Sequence, residues 1–222
     1  MKSSLPKQCE PASPGVRKSR GRPGLTERDR EAALQAARTL LSTGGLEALQ
    51  ARAIAREAGL SVGSIYKLFG DIDSLVRILN LETHREFAAH HRAALAAMTG
   101  EGSDAEARLT ALARAYLDFV LENGRRWDAV LRTSRRVEAG RPAEYVQSEE
   151  ALFAIVESVI ADLPGFADPV LRARATRALW ASVHGIISVT LANSRASDPA
   201  TDALAQIDLI LGAVTRDASS AQ

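Results

Sequence analysis

The chain is 222 residues long, 46% hydrophobic and 25% charged, which is enough to bury a sizeable core and too apolar for general disorder. Its 28 Lys and Arg against 27 Asp and Glu leave a net charge of +1, so bulk charge points to no polyanionic partner. The single cysteine, Cys9, excludes an internal disulfide and offers no companion ligands for zinc.

Gly, Pro and aromatic residues are sparse while Ala, Leu, Arg and Glu recur, a mixture that predicts an all-α protein. The charge is unevenly spread: residues 1–70 carry 12 basic against 6 acidic residues, and 71–222 carry 16 against 21. A basic first third on a mildly acidic remainder suits a DNA-binding module joined to a separate body. The longest apolar stretch, Trp180–Ala192, is interrupted by His184 and falls short of the roughly 20 residues of a membrane span. The opening MKSSLPKQCEPASPG lacks the apolar run of a signal peptide, so a cytoplasmic protein with no membrane partner is expected.

Residues 1–24 hold repeated Pro and Gly and no apolar period, which predicts a disordered basic arm. Within it RKSRGRP, Arg17–Pro23, carries Arg20 and Arg22, readable as side chains for a narrow minor groove or as a solubilising tail. Thr26 followed by Asp29 predicts a capped first helix, with Leu34, Ala37, Leu40 and Leu41 at helical spacing up to Gly44-Gly45. QARAIAREA, Gln50–Ala58, reads as a second helix stopped by Gly59. Ser61 caps a short third helix over Val62–Phe69, and Asp71 caps a long fourth that ends near Gly100-Glu101-Gly102. Further helices are expected at about 104–122, 125–136, 142–162, 168–194 and 199–216, with Arg132–Arg141 a mixed helix end and loop.

The pentapeptide GLSVG, Gly59–Gly63, fits the G-x-S-x-G nucleophile elbow, which would make Ser61 the nucleophile of a small helical hydrolase. An elbow needs a strand before the serine, and the residues here, ARAIAREA, have helical periodicity. The alternative is the turn of a helix-turn-helix, with Gly59 ending one helix and Ser61 capping the next. Ile65, Leu68 and Phe69 then share an inward face with Val62 at its margin, while Gly63, Ser64, Tyr66 and Lys67 face outward. That outward set suits a DNA groove: glycine permits close approach, and the others reach bases or phosphates.

The stretch AIAREAGLSVGSIYKLFGDIDSL, Ala53–Leu75, closely resembles the helix-turn-helix of tetracycline-repressor-type, or TetR-family, regulators. The matching positions include Ile54, Ala55, Ala58, Gly59, Ser61, Gly63, Ile65, Tyr66, Phe69, Asp71, Asp73 and Leu75. The sequence departs from the family pattern at Ile72, where Lys is usual, and at Gln50, where Thr is usual. The resemblance implies an N-terminal three-helix DNA-binding domain over 25–71, joined by a long helix to a helical effector-binding and dimerisation domain over 72–217, with 218–222 a tail. It implies a repressor whose homodimer leaves a double-stranded DNA operator when a small-molecule effector binds. The DNA-contacting residues would be Arg20, Arg22, Gln50, Arg52, Ser61, Val62, Gly63, Ser64, Tyr66 and Lys67. A ligand-carrying helical bundle with no DNA role is a further rival.

In the body, Ala175, Leu179, Val183, Ile186, Ile187 and Leu191 form one apolar stripe, and Leu204, Ile207, Leu211 and Val214 form another. These are read as a dimer interface of the last two helices in preference to completion of a monomer core. The run Trp180-x-x-x-His184-Gly185 resembles the C-terminal domain type of TetR regulators named for its Trp, His and Gly. Trp180 and His184, with Tyr116, Phe119 and Trp127, are the candidate effector-binding residues; for His184 a satisfied hydrogen bond within the helix packing is the favoured reading, and Tyr116, Phe119 and Trp127 read equally as core. Gly185 is expected to admit a close neighbouring helix. Glu86 and His90 have i, i+4 metal spacing, but two ligands alone read better as a solvated helix. No phosphate loop, dinucleotide fingerprint or zinc-finger spacing is present, and no cofactor is expected.

Overall fold

The computed structural model describes residues 24–98, 104–134, 143–192 and 198–220, and their regular structure is entirely helical. The arm with Arg20 and Arg22, the glycines at Gly100 and Gly102, and residues 135–142 lie outside the described residues.

Helix α1 spans Glu27–Gly44 and starts on a closed capping box. The Thr26 hydroxyl accepts from the Asp29 amide, and the Asp29 carboxylate accepts from the Thr26 amide at 2.8 Å. These bonds hold the Asp29 carboxyl below its usual range. After a 3-10 turn at Leu46–Ala48 come α2 (Ala51–Ala58) and α3 (Val62–Phe69). Between them Gly59 takes the left-handed conformation (φ 68, ψ 27), and its amide closes on Ala55 and Arg56 carbonyls. Only glycine adopts this conformation at little steric cost, so the sharp turn is written at that residue. Ala33, Leu34, Ala37, Leu41, Ile54, Ile65 and Phe69 are buried together and lock the three helices into a head.

Helix α4 (Ile72–Ala96) is capped by Asp71, whose carboxylate accepts from the Ser74 amide at 2.6 Å. Its first turns belong to the head: Leu75, Val76 and Leu79 lie in the same cluster as Ile54 and Ile65. The head core therefore runs past the expected boundary at 71. Further along, Phe87 and Ala88 join the body core, packed with α5 (Ala105–Ser134), α6 (Ala143–Ile160), α7 (Pro169–Ala192) and α8 (Pro199–Ser220).

One expectation, the dimer-facing stripes, needs correction, and the predicted break at Asn123-Gly124 is present as a kink: Asn123 leaves helical values (φ −122, ψ 26) and divides α5 into two helical limbs. Apolar residues on both sides, Leu117 before and Trp127 and Val130 after, are pulled onto one core, which keeps the limbs joined. The apolar stripes close the chain's own core: Leu179, Val183 and Ile187 on α7 and Ile207 and Leu211 on α8 are all buried within the body. In the segment His84–His91, Glu86 is exposed and His90 half-buried, as the solvated reading of that pair expects, while His84 and His91 on the opposite side are 4% and 5% exposed.

Candidate nucleic-acid interface and effector site

At the turn, the Ser61 hydroxyl accepts from the Ser64 amide at 3.1 Å and lies 2.9 Å from the Ser64 hydroxyl. Its hydrogen bonds are those of a helix cap, and the element before it is helix α2. The elbow geometry, which requires a strand there, is contradicted. Ser64 spends its own hydroxyl on Ser61, so its side chain is turned toward the cap rather than straight out.

The rest of α3 divides by face. Ile65 and Phe69 are buried, Val62 and Leu68 half-buried, and Gly63, Tyr66 and Lys67 exposed, with Tyr66 49% accessible. A methyl group on Gly63 would meet only the Ser61 hydroxyl, at 3.8 Å. Nothing inside the chain therefore demands glycine at that exposed position. Arg52 and Gln50 are exposed at the start of α2, where Gln50 makes no side-chain capping bond and its amide instead donates to the Glu47 carbonyl at 3.4 Å. Behind α3, the Arg30 guanidinium lies over the Phe69 ring, 5.4 Å from its centroid.

In the body, the expected effector residues fall into two groups. Tyr116, Trp127, Trp180 and His184 meet: the Trp127 indole N–H donates to the Tyr116 hydroxyl at 3.1 Å, which contacts His184 Nδ1, and His184 stacks on Trp180 with planes 8° apart. Burial pushes the Tyr116 phenol well above its usual value, so it remains protonated. Phe119 does not reach this group's cavities; it packs edge-on against Phe87 and Trp127. Gly185 has no neighbour that a methyl group would touch within 4 Å, so the close helix expected there is not supplied by the described residues of this chain.

Two residues that sequence reasoning did not place here are His84 and His91. The ring of His84 lies 4.9 Å from that of Tyr145 and its Nδ1 meets the Ser148 hydroxyl at 3.1 Å. His91 donates from Nδ1 to the Phe87 carbonyl at 2.9 Å, and burial lowers its pKa to about 4. Both continue the i, i+3, i+4 stripe of Leu75, Leu79 and Phe87 on α4, a signal that could have marked them as inward. Glu86, the other half of the metal spacing, is paired with Arg126 at 2.6 Å, and the described residues contain no cluster of three metal-ligating side chains. No helix among them is long and apolar enough to cross a membrane.

The body and head are tied by ion pairs and by one shared helix. Arg38 on α1 bonds Glu82 on α4, and Arg132 on α5 pairs with Glu47 in the head. Ala129 of α5, fully buried, belongs to the head core, while Trp127 and Val130 beside it belong to the body core.

Comparison with known proteins agrees with this division. Residues 33–78 match the family model "Bacterial regulatory proteins, tetR family", and residues 109–211 match "Tetracyclin repressor-like, C-terminal domain". A search of curated proteins finds no match. Among solved structures, a protein of unknown function from Rhodococcus sp. RHA1 superposes with a TM-score of 0.68 at 22% identity, covering 87% of this chain and 97% of that one. The TetR family transcriptional regulator PfmR from Thermus thermophilus gives 0.57 at 20% identity, covering 81% and 96%. A TetR-family transcriptional regulator from Streptomyces coelicolor gives 0.61 at 18% identity, covering 89% and 90%. At these identities the superpositions establish the fold, whereas the two models reach the sequence of both head and body. The chain belongs to the TetR family of bacterial regulatory proteins.

Proposed function

We propose that the protein is a ligand-released repressor that binds its operator as a homodimer, with α3 as the recognition helix. The observation that carries the reading is the division of α3 into a buried apolar face and an exposed face of Gly63, Tyr66 and Lys67 at the tip of a rigid head. Ser61 orients the helix start, whose amides then face a phosphate, and Arg52 and Gln50 flank it at the start of α2. Val62 and Ser64 shape the edge of the same surface, and Arg20 and Arg22 would extend it into the minor groove.

Dimerisation through α7 and α8 uses what the core leaves over. No Asp, Glu, Lys or Arg occurs from Ala178 to Ala192, and Val189 and Leu209 are 60% and 74% exposed. Small outward residues, Ala178, Ala181, Gly185 and Ser188, permit the close helix approach of a four-helix interface. Two heads so joined read half-sites about one helical turn apart, roughly 34–36 Å, or a multiple of that spacing. An effector that favours a different head spacing removes the dimer by linkage.

The test is binding of the purified chain to DNA from its own upstream region across a salt series. Affinity should fall steeply with salt, and Lys67→Ala and Tyr66→Phe should each weaken it. Binding that ignores salt, or no binding to any selected fragment, favours the ligand-carrying bundle instead.

A further inference from the structure

Two cavities lie side by side in the body, and an aromatic wall parts them. The smaller, about 30 Å³, is bounded by apolar side chains such as Leu112, Val183 and Leu211, with Tyr116 and His91 at its side. The larger, about 80 Å³, is bounded by His84, Trp127, Glu149 and Phe153. Trp180 lines both. Its indole stacks on His184, and the imidazole lies nearly parallel to the Tyr116 ring, with planes 12° apart. The wall is therefore made of flat faces. Each cavity is smaller than the roughly 150 Å³ that holds a benzene, so a guest with even one ring fits only when the wall opens.

An indole N–H can only donate, so Trp127 gives its proton to Tyr116. The Tyr116 hydroxyl lies 2.5 Å from His184 Nδ1, and in the tautomer that carries its proton on Nε2 the imidazole accepts the phenol O–H. Opening the wall thus exposes an O–H donor already aimed by Trp127. The charge around it is equally restrictive. Among the described residues lining either cavity there is no Lys or Arg, the one carboxylate is Glu149 in the larger, and His91 is neutral at neutral pH. The Arg177 guanidinium lies over the Phe153 ring, 5.6 Å from the centroid, and the residue is exposed. In the smaller cavity a charged group of either sign would meet no opposite charge among the described lining residues.

We propose that the two cavities are halves of one site for an uncharged, planar aromatic molecule with one hydrogen-bond acceptor, which takes the Tyr116 O–H bond in place of His184. The proposal rests on the effector-released reading for its purpose, while its chemistry comes from the wall alone. Tyr116 and Trp127 sit on either side of the Asn123 kink, so a guest that parts the wall displaces α5, which also reaches the head core through Ala129.

Quinoline, N-methylquinolinium and quinoline-3-carboxylate share one ring system and differ in charge. Titrated calorimetrically into the full chain at neutral pH, quinoline should bind about tenfold tighter than either ion: the methylated ring has lost its acceptor, and the carboxylate brings a charge into an apolar site. The chain's two tryptophans, Trp127 and Trp180, both line the larger cavity, so their emission should follow the same curve. Tyr116→Phe, which removes the donor, should weaken quinoline, and His184→Leu, which removes the competing acceptor, should tighten it. Equal or tighter binding of either ion, no binding of quinoline, or a shift in the same direction for both variants overturns the proposal. Operator binding by the same preparation separates the two readings. DNA binding without quinoline binding sinks only this ligand class, and quinoline binding without DNA binding sinks only the regulator.

Discussion

The guanidinium of Arg38 forks onto both carboxylate oxygens of Glu82, at 2.9 and 2.8 Å, and so fastens α1 of the head to α4. A third bond, to Glu31 at 2.6 Å, steadies the fork from within α1. Both carboxylates hold the guanidinium pKa above its ordinary value, although neither partner is deeply buried.

Glu82→Gln keeps the shape of this contact and removes its charge. Because the pair is about a third exposed on the arginine side, the expected loss of stability is small, about 1 kcal/mol, in urea unfolding. On the proposed effector-released reading, the larger effect should be on coupling: an effector should release this variant from DNA less completely than the parent. Unaltered coupling would show that α4 moves without α1.

Gly63→Ala should separate folding from recognition. The added methyl clashes with nothing and replaces a helical glycine, so thermal stability should rise by about 0.5–1 kcal/mol. Operator affinity, read by fluorescence anisotropy, should nonetheless fall about tenfold, because the methyl stands between backbone and groove. A variant that is more stable and binds DNA unchanged would remove Gly63 from the interface.

Ser61→Ala removes the cap of α3. Stability should drop by about 1 kcal/mol, and the Ser64 hydroxyl loses its partner, so operator affinity should fall as well. A serine-reactive phosphonate probe should label neither the parent chain nor the variant. Labelling of the parent that disappears in the variant would restore the hydrolase reading.

His91 gives the fold an acid limb. Unfolded, its imidazole titrates near 6.5; folded, near about 4. Between these values the unfolded chain binds a proton that the folded chain refuses, so stability is full above about 6.5 and declines as the pH falls toward about 4, by on the order of 3 kcal/mol in total. Asp29, Asp71 and Asp198 have lowered values, so their own losses come at more acidic pH than this window. His91→Gln should flatten the decline between pH values of about 6.5 and 4 in denaturant titrations. An unchanged slope would assign the limb to another group.

Leu209→Glu, alone or with Val189→Glu, places charge on the outward face of α8 or α7 without touching the core. Sedimentation should shift from dimer to monomer, and operator binding should weaken with it. A dimer that survives both changes would place the interface elsewhere.

The head is legible in the sequence because each of its turns is made by a local chemical device. Thr26 with Asp29, Gly59 and Ser61 are short-range capping signals, and each sits where its chemistry requires. The body is less legible. Periodicity gives a helix an apolar side but does not say what covers it, and Leu179, Val183 and Ile207 read as partner-facing although their own neighbours cover them. Asn123-Gly124 carries a strong turn signature, and the backbone kinks there as read, with core contacts on both flanks holding the two limbs together. His84 and His91 are obscured by residue type: a histidine counts as polar in a stripe count, although a hydrogen bond from one nitrogen allows the ring to be buried.

Ala129 is a body-helix residue set wholly inside the head. Cutting the chain near residue 71 would strip Leu75, Leu79 and Ala129 from the reading head and leave bare hydrocarbon behind. Anyone grafting this DNA-reading unit onto another sensor would have to carry along the start of α4 and a surrogate for the far limb of α5. In modular terms, the joint between the two halves is a dovetail and has no clean parting line.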